Sequence, residues 1–300
     1  MKKDLVTVKD LTVEDVEELF SLTDGLKSDP ASYRGHLDGK TLALLFQKPS
    51  NRTRVSFEVG MYQLGGKAVY LSPGEINLGV RESVKDVART LSRYVDGIVI
   101  RTFSHGNVEE LAAYSDKPVI NGLSDFSHPC QALADLYTMR EKLGETAGKT
   151  LAYIGDGNNV CTSLMYACAL MKVAIRIATP AGFEPETAVV EEVRQSGGAV
   201  SVGNDVRRAV NGAEAVYTDV WASMGREAEA GQRRKAFSAF QVNAPLLAQA
   251  AEGALVMHCL PAHRGEEITE EVIEGPQSVV FDQAENRMHV QKAVLLKLMR

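Results

Sequence analysis

The feature that most constrains this chain is a repeated pairing: a short apolar run without polar alternation, then a stretch of helical periodicity. Leu42-Ala43-Leu44-Leu45-Phe46 is the clearest such run. A strand with one wet face alternates apolar and polar side chains, so a continuous run fits a strand buried on both faces, as in a parallel sheet covered by crossover helices. The spacing predicts a strand over 41–46 and a helix over 52–64, a strand over 68–71 and a helix over 82–94, then a strand over 97–100 and a helix over 108–114. A helix over 129–143 stops at Gly144. The rhythm resumes with strands over 150–154, 173–178, 199–202, 215–218 and 254–257, separated by helical patterns. Thr12 and Asp15 have the spacing of a capping box for a first helix, and 284–299 is helical to the C-terminus.

The expected fold class is therefore α/β: two doubly wound parallel-sheet domains with the active site in the cleft between them. A length of 300 residues favours two domains over one. The junction is placed at Gly144, giving a first domain over 1–143 and a second over 144–283, with the helix at 284–300 packing back on the first. With 45% hydrophobic and 24% charged residues, the composition excludes a disordered, collagen-like or coiled-coil chain. Its 33 Lys+Arg against 39 Asp+Glu leave a net charge of -6, so no general basic field exists for nucleic acid or acidic lipid. An anionic ligand has to be met by local arginines.

Asp4, Lys9 and Asp10 interrupt any secretory apolar region near the start, and the apolar stretch 164–178 carries Lys172 and Arg176, so neither a signal peptide nor a transmembrane helix is expected. Cys130, Cys161, Cys168 and Cys259 form no C-x-x-C pair and have no histidine spacing suited to zinc. Reduced thiols in a cytoplasm, with no metal site, are the expectation.

Four segments at strand ends carry the chemistry. The first is Phe46-Gln47-Lys48-Pro49-Ser50-Asn51-Arg52-Thr53-Arg54. Two arginines in a first helical turn oppose the macrodipole, and an anion shared with the exposed N–H groups would offset that cost. Ser50 and Thr53 add hydroxyls, and Arg52 has a fork suited to phosphate oxygens. Alone, the segment fits equally a Ser-capped helix with solvated arginines. It contains no nucleotide P-loop pattern. In the second segment, Ser127-His128-Pro129-Cys130-Gln131, Pro129 suits a first helical position. His128 and Gln131 there can face one ligand, the imidazole polarising a carbonyl and the amide receiving an N–H. Arg101 follows the 97–100 strand, where α/β sheets bind ligands. The third, Tyr217-Thr218-Asp219-Val220-Trp221-Ala222-Ser223-Met224-Gly225, offers an acid for an ammonium group and a loop that could cover a ligand. In the fourth, His258-Cys259-Leu260-Pro261, neighbours on a strand point to opposite faces, which disfavours a Cys-His nucleophilic pair. Gly155-Asp156-Gly157 after a strand keeps a dinucleotide-dependent oxidoreductase open, although the third glycine of that fingerprint is missing.

Taken together, these segments resemble the transcarbamoylases over nearly the whole chain, and within them the ornithine enzymes. Ser50-Asn51-Arg52-Thr53-Arg54 is similar to the family's S-T-R-T-R loop, and His128-Pro129-Cys130-Gln131 matches its H-P-x-Q. The Asp219 to Gly225 segment resembles D-x-W-x-S-M-G, and His258-Cys259-Leu260-Pro261 the H-C-L-P motif of the ornithine branch. The resemblance implies a carbamoyl phosphate site of Ser50, Asn51, Arg52, Thr53, Asn77, Arg101, His128, Pro129, Cys130, Gln131, Cys259, Leu260 and Arg287. It implies an ornithine site of Asn159, Asp219, Ser223 and Met224, with Arg101, His128 and Cys259 as catalytic groups. Asn51 replaces the usual Thr, and Asn77 stands where many bacterial members have Gln. The implied reaction needs no cofactor, the implied partners are carbamoyl phosphate and ornithine, and the implied assembly is a homotrimer.

Overall fold

The computed structural model describes residues 1–222 and 229–300. The chain divides into two compact units, Met1–Ala134 with Asn286–Arg300, and Asp135–Glu285.

The first unit is built on four parallel strands, β1 (Thr41–Phe46), β2 (Lys67–Leu71), β3 (Gly97–Arg101) and β4 (Val119–Leu123), in the order β2-β1-β3-β4. Five of the six β1 residues and all of β3 are buried, as continuous apolar runs require, while the edge strand β2 is half exposed. Helices cross between the strands, among them Asn51–Gln63, Val84–Leu91 and His105–Tyr114. The first helix, Val13–Ser28, starts on the Thr12–Asp15 capping box.

β4 has no counterpart among the strands expected from sequence. Its core, Val119-Ile120-Asn121-Gly122-Leu123, contains an Asn-Gly pair that reads as a turn. Tertiary partners override that local preference. Buried Asn121 donates through Nδ2 to the Val6 carbonyl at 2.9 Å, and a Cβ on Gly122 would press on Val99 at 3.1 Å and the Ile100 carbonyl at 3.2 Å. The N-terminal segment then covers the sheet edge, with Leu5 N–H on the Val119 carbonyl and Asn121 N–H on that of Leu5.

The second unit has five parallel strands, β5 (Thr150–Ile154), β6 (Ala174–Ala178), β7 (Val200–Gly203), β8 (Ala215–Thr218) and β9 (Leu255–His258), in the order β7-β6-β5-β8-β9. Trp221, expected on a covering loop, lies in the core and stacks on Phe237 at 5.9 Å. The last helix spans Val280–Met299 and begins a turn earlier than its apolar periodicity. Among the described residues, no helix is long and apolar enough to cross a membrane.

Strand order reverses between β1 and β3 in one sheet, and between β5 and β8 in the other. Ligands of open α/β sheets bind beyond the carboxyl ends of the strands at such reversals. Of these strands, β1 leads into the segment Phe46 to Arg54, β3 ends on Arg101, β5 leads into the Gly155-Asp156-Gly157 turn and β8 into the Asp219 segment.

Candidate active site

In the first unit, Ser50 caps the helix Asn51–Gln63, its Oγ accepting the Thr53 N–H at 3.2 Å and lying 3.1 Å from the Thr53 hydroxyl. Thr53 is fully buried, and its Oγ1 receives Arg101 Nη1 at 3.2 Å and Arg287 Nη2 at 2.6 Å. Two buried guanidiniums, one from the end of β3 and one from the last helix, thus converge on a hydroxyl at a helix N-terminus. Such a convergence of cations is costly without an anion and well matched to one. Arg52, in the same helical turn, is exposed and free to fold over a ligand.

His128 and Gln131 are buried in the same unit. Burial, and then the charges of Arg287, Arg101 and Arg52, hold the His128 pKa well below its usual value. The imidazole is therefore neutral at neutral pH and can offer one N–H to an oxygen without adding a fourth charge. Pro129 opens the helix Pro129–Leu143, and burial pushes the Cys130 thiol up to about 12, which suits packing and not nucleophilic chemistry. Asn77 belongs to a different turn: it is the left-handed C-cap of the helix Pro73–Ile76, in a loop tied by Gln47 Nε2 to the Leu78 carbonyl at 2.9 Å.

In the second unit, Gly157 packs so closely on the backbone of Glu184 and Pro185 that a Cβ would lie 2.1 Å from Pro185 N. In a dinucleotide turn the corresponding closeness serves a pyrophosphate. Here the protein's own backbone takes that space. Asn158 caps the helix Asn159–Leu170, accepting the Val160 and Cys161 N–H groups at 2.9 and 3.1 Å, and donates through Nδ2 to Asp219 Oδ2 at 2.8 Å. Asp219, buried at the end of β8, also accepts at Oδ1 from Cys259 Sγ at 3.1 Å and the Val220 N–H at 2.8 Å. The structure therefore brings Asp219 and Cys259 together, with Asn159 beginning the helix beside them. Ser223 and Met224 lie outside the described residues.

His258 turns away from its neighbour's thiol. Its Nδ1 accepts the Leu260 N–H at 2.8 Å, and its Nε2 meets Glu267 Oε1 at 3.1 Å, both side chains being fully buried. Leu260 adopts a left-handed φ of 57° there, and the imidazole holds that turn in place. Asp219, His258 and Cys259 offer donor atoms within 4.8 Å of one another, as do His263, Glu266 and Glu267. In the first group these atoms are already committed to Asn158, Leu260 and Glu267.

Three supporting residues escaped the sequence reading. Asn158 carried a weak signal, an Asn directly before a helical run. Glu267 carried none, because its tie to His258 spans a loop. Arg233 looked like one of three consecutive basic residues on a polar helix. It is in fact buried, with Nη1 donating to Asp156 Oδ2 and the Trp221 carbonyl, both at 2.8 Å.

Residues 3–141 match the carbamoyl-P binding domain of aspartate/ornithine carbamoyltransferase, and residues 147–298 match its Asp/Orn binding domain. The ornithine carbamoyltransferase of Thermococcus kodakarensis is 52% identical over 303 residues, covering 99% of this chain and 96% of that protein. The solved ornithine carbamoyltransferase from Pyrococcus furiosus superposes with a TM-score of 0.95 at 51% identity, over 99% of this chain and 96% of that one. That organism's anabolic ornithine carbamoyltransferase is likewise 51% identical over 303 residues, covering 99% of this chain and 96% of that protein. The chain belongs to the aspartate/ornithine carbamoyltransferase family.

Within this carbamoyltransferase chain, Ser50, Thr53, Arg101 and His128 fall in the stretch matched by the carbamoyl-P domain, and Asn159, Asp219 and Cys259 in that matched by the Asp/Orn domain. Arg287 is covered by the second match, yet its guanidinium completes the Thr53 cluster of the first unit.

Proposed function

We propose that this chain transfers the carbamoyl group of carbamoyl phosphate to the δ-amine of L-ornithine, giving L-citrulline and phosphate, a step of arginine biosynthesis. The convergence of Arg101 and Arg287 on Thr53 at a helix N-terminus carries the reading, because it prepares a site for a compact, highly charged oxyanion. In this reading Ser50, Asn51, Arg52 and Thr53 hold the phosphate with the helix N–H groups, and Arg287 joins them. Arg101, the Thr53 hydroxyl and neutral His128 face the carbonyl oxygen, whose negative charge grows as the amine attacks. Gln131 accepts from the carbamoyl amide, Pro129 and Cys130 shape the wall, and Cys259 and Leu260 complete the carbamoyl contacts.

Asp219 pairs with the α-ammonium of ornithine, with Asn159, Ser223 and Met224 around the amino-acid group. An aspartate substrate would bring two carboxylates towards that acid, which favours ornithine as the acceptor. The attacking amine must be neutral, although a free alkylammonium has a pKa of about 10.4. As the C–N bond forms and the bond from carbon to phosphate oxygen breaks, the amine's proton passes to the departing phosphate, or to Cys259 where that residue is present as the thiolate. The electron pair leaves with phosphate.

The finer setting is also proposed: a cytoplasmic homotrimer with no nucleic-acid or membrane partner and no metal or organic cofactor, in which a neighbouring copy lends Asn77. The resemblance supports the trimer. Val80, largely exposed in the same loop, gives it an apolar contact to offer. The test is product formation from carbamoyl phosphate with ornithine, putrescine, N-acetylornithine and aspartate in parallel. Citrulline should dominate; carbamoylaspartate as the main product, or faster reaction with putrescine, overturns the reading.

A further inference from the structure

β9 is an edge strand, so the N–H and carbonyl groups on its outer side face no neighbouring strand of the sheet. At Val256 the chain covers that edge itself: the Val256 N–H donates to the Gln277 carbonyl at 2.8 Å, and the Val256 carbonyl accepts from Val279 N–H at 3.0 Å. Two residues on, at His258, a side chain finishes the ladder. The His258 N–H donates to Oε1 of Gln283 at 3.0 Å.

Gln283 is fully buried in the first turns of the helix Val280–Met299. Its Nε2 donates to Asp135 Oδ1 at 2.6 Å and lies 3.3 Å from the Tyr217 hydroxyl. An amide of this length accepts at one atom and donates at the other, which is what a backbone N–H on one side and a carboxylate on the other require. His258 is thereby held at three points: its N–H on Gln283, its Nδ1 on the Leu260 N–H and its Nε2 on Glu267. The next residue is Cys259, whose thiol reaches Asp219 Oδ1 at 3.1 Å. An error at the strand end would pass directly to that contact.

We propose that Gln283 is a positioning residue for carbamoyl transfer, its amide completing the free edge of β9 at His258 and so aiming Cys259 at Asp219. The inference rests on the reading above, in which Cys259 lies at the carbamoyl group and Asp219 pairs with the α-ammonium of the ornithine that attacks it.

Gln283→Met keeps length and apolar fill but removes the hydrogen bonds to the His258 N–H, Asp135 and Tyr217. Three measurements on the purified full chain read its effect: citrulline formation, inorganic phosphate binding by calorimetry, and reaction of native thiols with a chromogenic disulfide. Cys259 is the partly exposed cysteine, while Cys130, Cys161 and Cys168 are buried. Turnover should fall about 10- to 100-fold, the scale of a displacement of roughly 1 Å at reacting groups. Phosphate affinity should hold, since its site lies in the other unit. Cys259 alone should react several-fold faster, as it is released from Asp219.

Wild-type turnover and an unchanged Cys259 rate in the variant overturn the proposal. Loss of phosphate binding with all four thiols reacting also overturns it, because Gln283 would then serve stability alone. If Gln283→Met does not fold, Gln283→Glu decides. That variant keeps an acceptor for the His258 N–H but presents a carboxylate to Asp135, so its turnover relative to wild type should rise as pH falls and the two carboxyls share a proton. A ratio independent of pH counts against the amide's role. A wild-type chain that makes no citrulline defeats the functional reading instead, and the thiol rates still report on the strand end.

Discussion

Thr53→Val replaces one hydroxyl with a methyl of nearly the same shape, at the point where Arg101 and Arg287 converge. The helix start is preserved, because Ser50 accepts from the backbone N–H of residue 53 and not from its side chain. Two guanidinium hydrogen bonds are lost, the shorter at 2.6 Å from Arg287 and the longer at 3.2 Å from Arg101, and the hydroxyl–hydroxyl bond with Ser50 at 3.1 Å goes with them. Hydrogen bonds to charged groups contribute about 1.5–3 kcal/mol each. Other acceptors that the two guanidiniums reach by small shifts return roughly half of the pair's total, leaving an expected loss of about 1.5–3 kcal/mol. A bound phosphate would satisfy the same guanidiniums, so the loss should shrink in saturating phosphate. By linkage, the variant must then bind inorganic phosphate at least as tightly as the wild type. Carbamoyl phosphate should behave differently, because its carbonyl loses the Thr53 hydroxyl and turnover falls. Urea unfolding at 25 °C, with and without phosphate, followed by calorimetry with both ligands, measures each quantity. An unchanged unfolding midpoint, or a loss of equal size with and without phosphate, refutes the reasoning.

Three further outcomes follow from the same geometry. His128 has its pKa held well below 6.5 in the folded chain by burial and by Arg287, Arg101 and Arg52, so below about pH 6.5 the unfolded chain takes a proton that the folded chain refuses. Stability should fall as pH drops through that window, at most about 1.4 kcal/mol per pH unit from this group, and His128→Asn should flatten the urea-midpoint profile between pH 7.5 and 5.5; parallel profiles would refute the assignment. Asp219→Asn should weaken ornithine by about 1.5–3 kcal/mol while leaving carbamoyl phosphate nearly unchanged, which titration of each substrate checks. Arg52→Ala should weaken carbamoyl phosphate towards the lower end of that range, given its exposure, and Arg52→Lys should restore little, since the charge returns without the fork; calorimetry with Lys equal to Arg would rule out a bidentate contact.

The parallel sheets could be read from residues such as Leu42 to Phe46 because burial on both faces leaves a continuous apolar record in the chain. β4 could not, since its Asn121 and Gly122 are chosen for partners distant in sequence, the Val6 carbonyl and the packed Val99. The same division runs through the site. Ser50, Arg101, His128, Asp219 and Cys259 stand at strand exits or helix starts, where local pattern announces an unusual residue. Gln283, Glu267 and Arg233 act across loops and helices, and a Gln, a Glu or an Arg on a helix carries no local mark of being buried. Trp221 misled for the related reason that a lone tryptophan in a Gly-containing segment looks like a cover, whereas its ring fills the core against Phe237.

The first unit is made from both ends of the chain, Met1–Ala134 and Asn286–Arg300, whereas the second is continuous from Asp135 to Glu285. A ribosome therefore finishes the second unit before the first, although it starts with the first. Until the last helix is made, the nascent first unit lacks Arg287 together with Val290, Lys292 and Val294, all of which are buried in the finished fold. N-terminal segments ordinarily fold first during synthesis. Here the stretch made first must wait for the one made last. The Arg101–Thr53–Arg287 cluster is accordingly complete only once the last helix is made, and a message cut short before residue 286 yields a second unit of complete length and a first that holds one of the cluster's two buried guanidiniums.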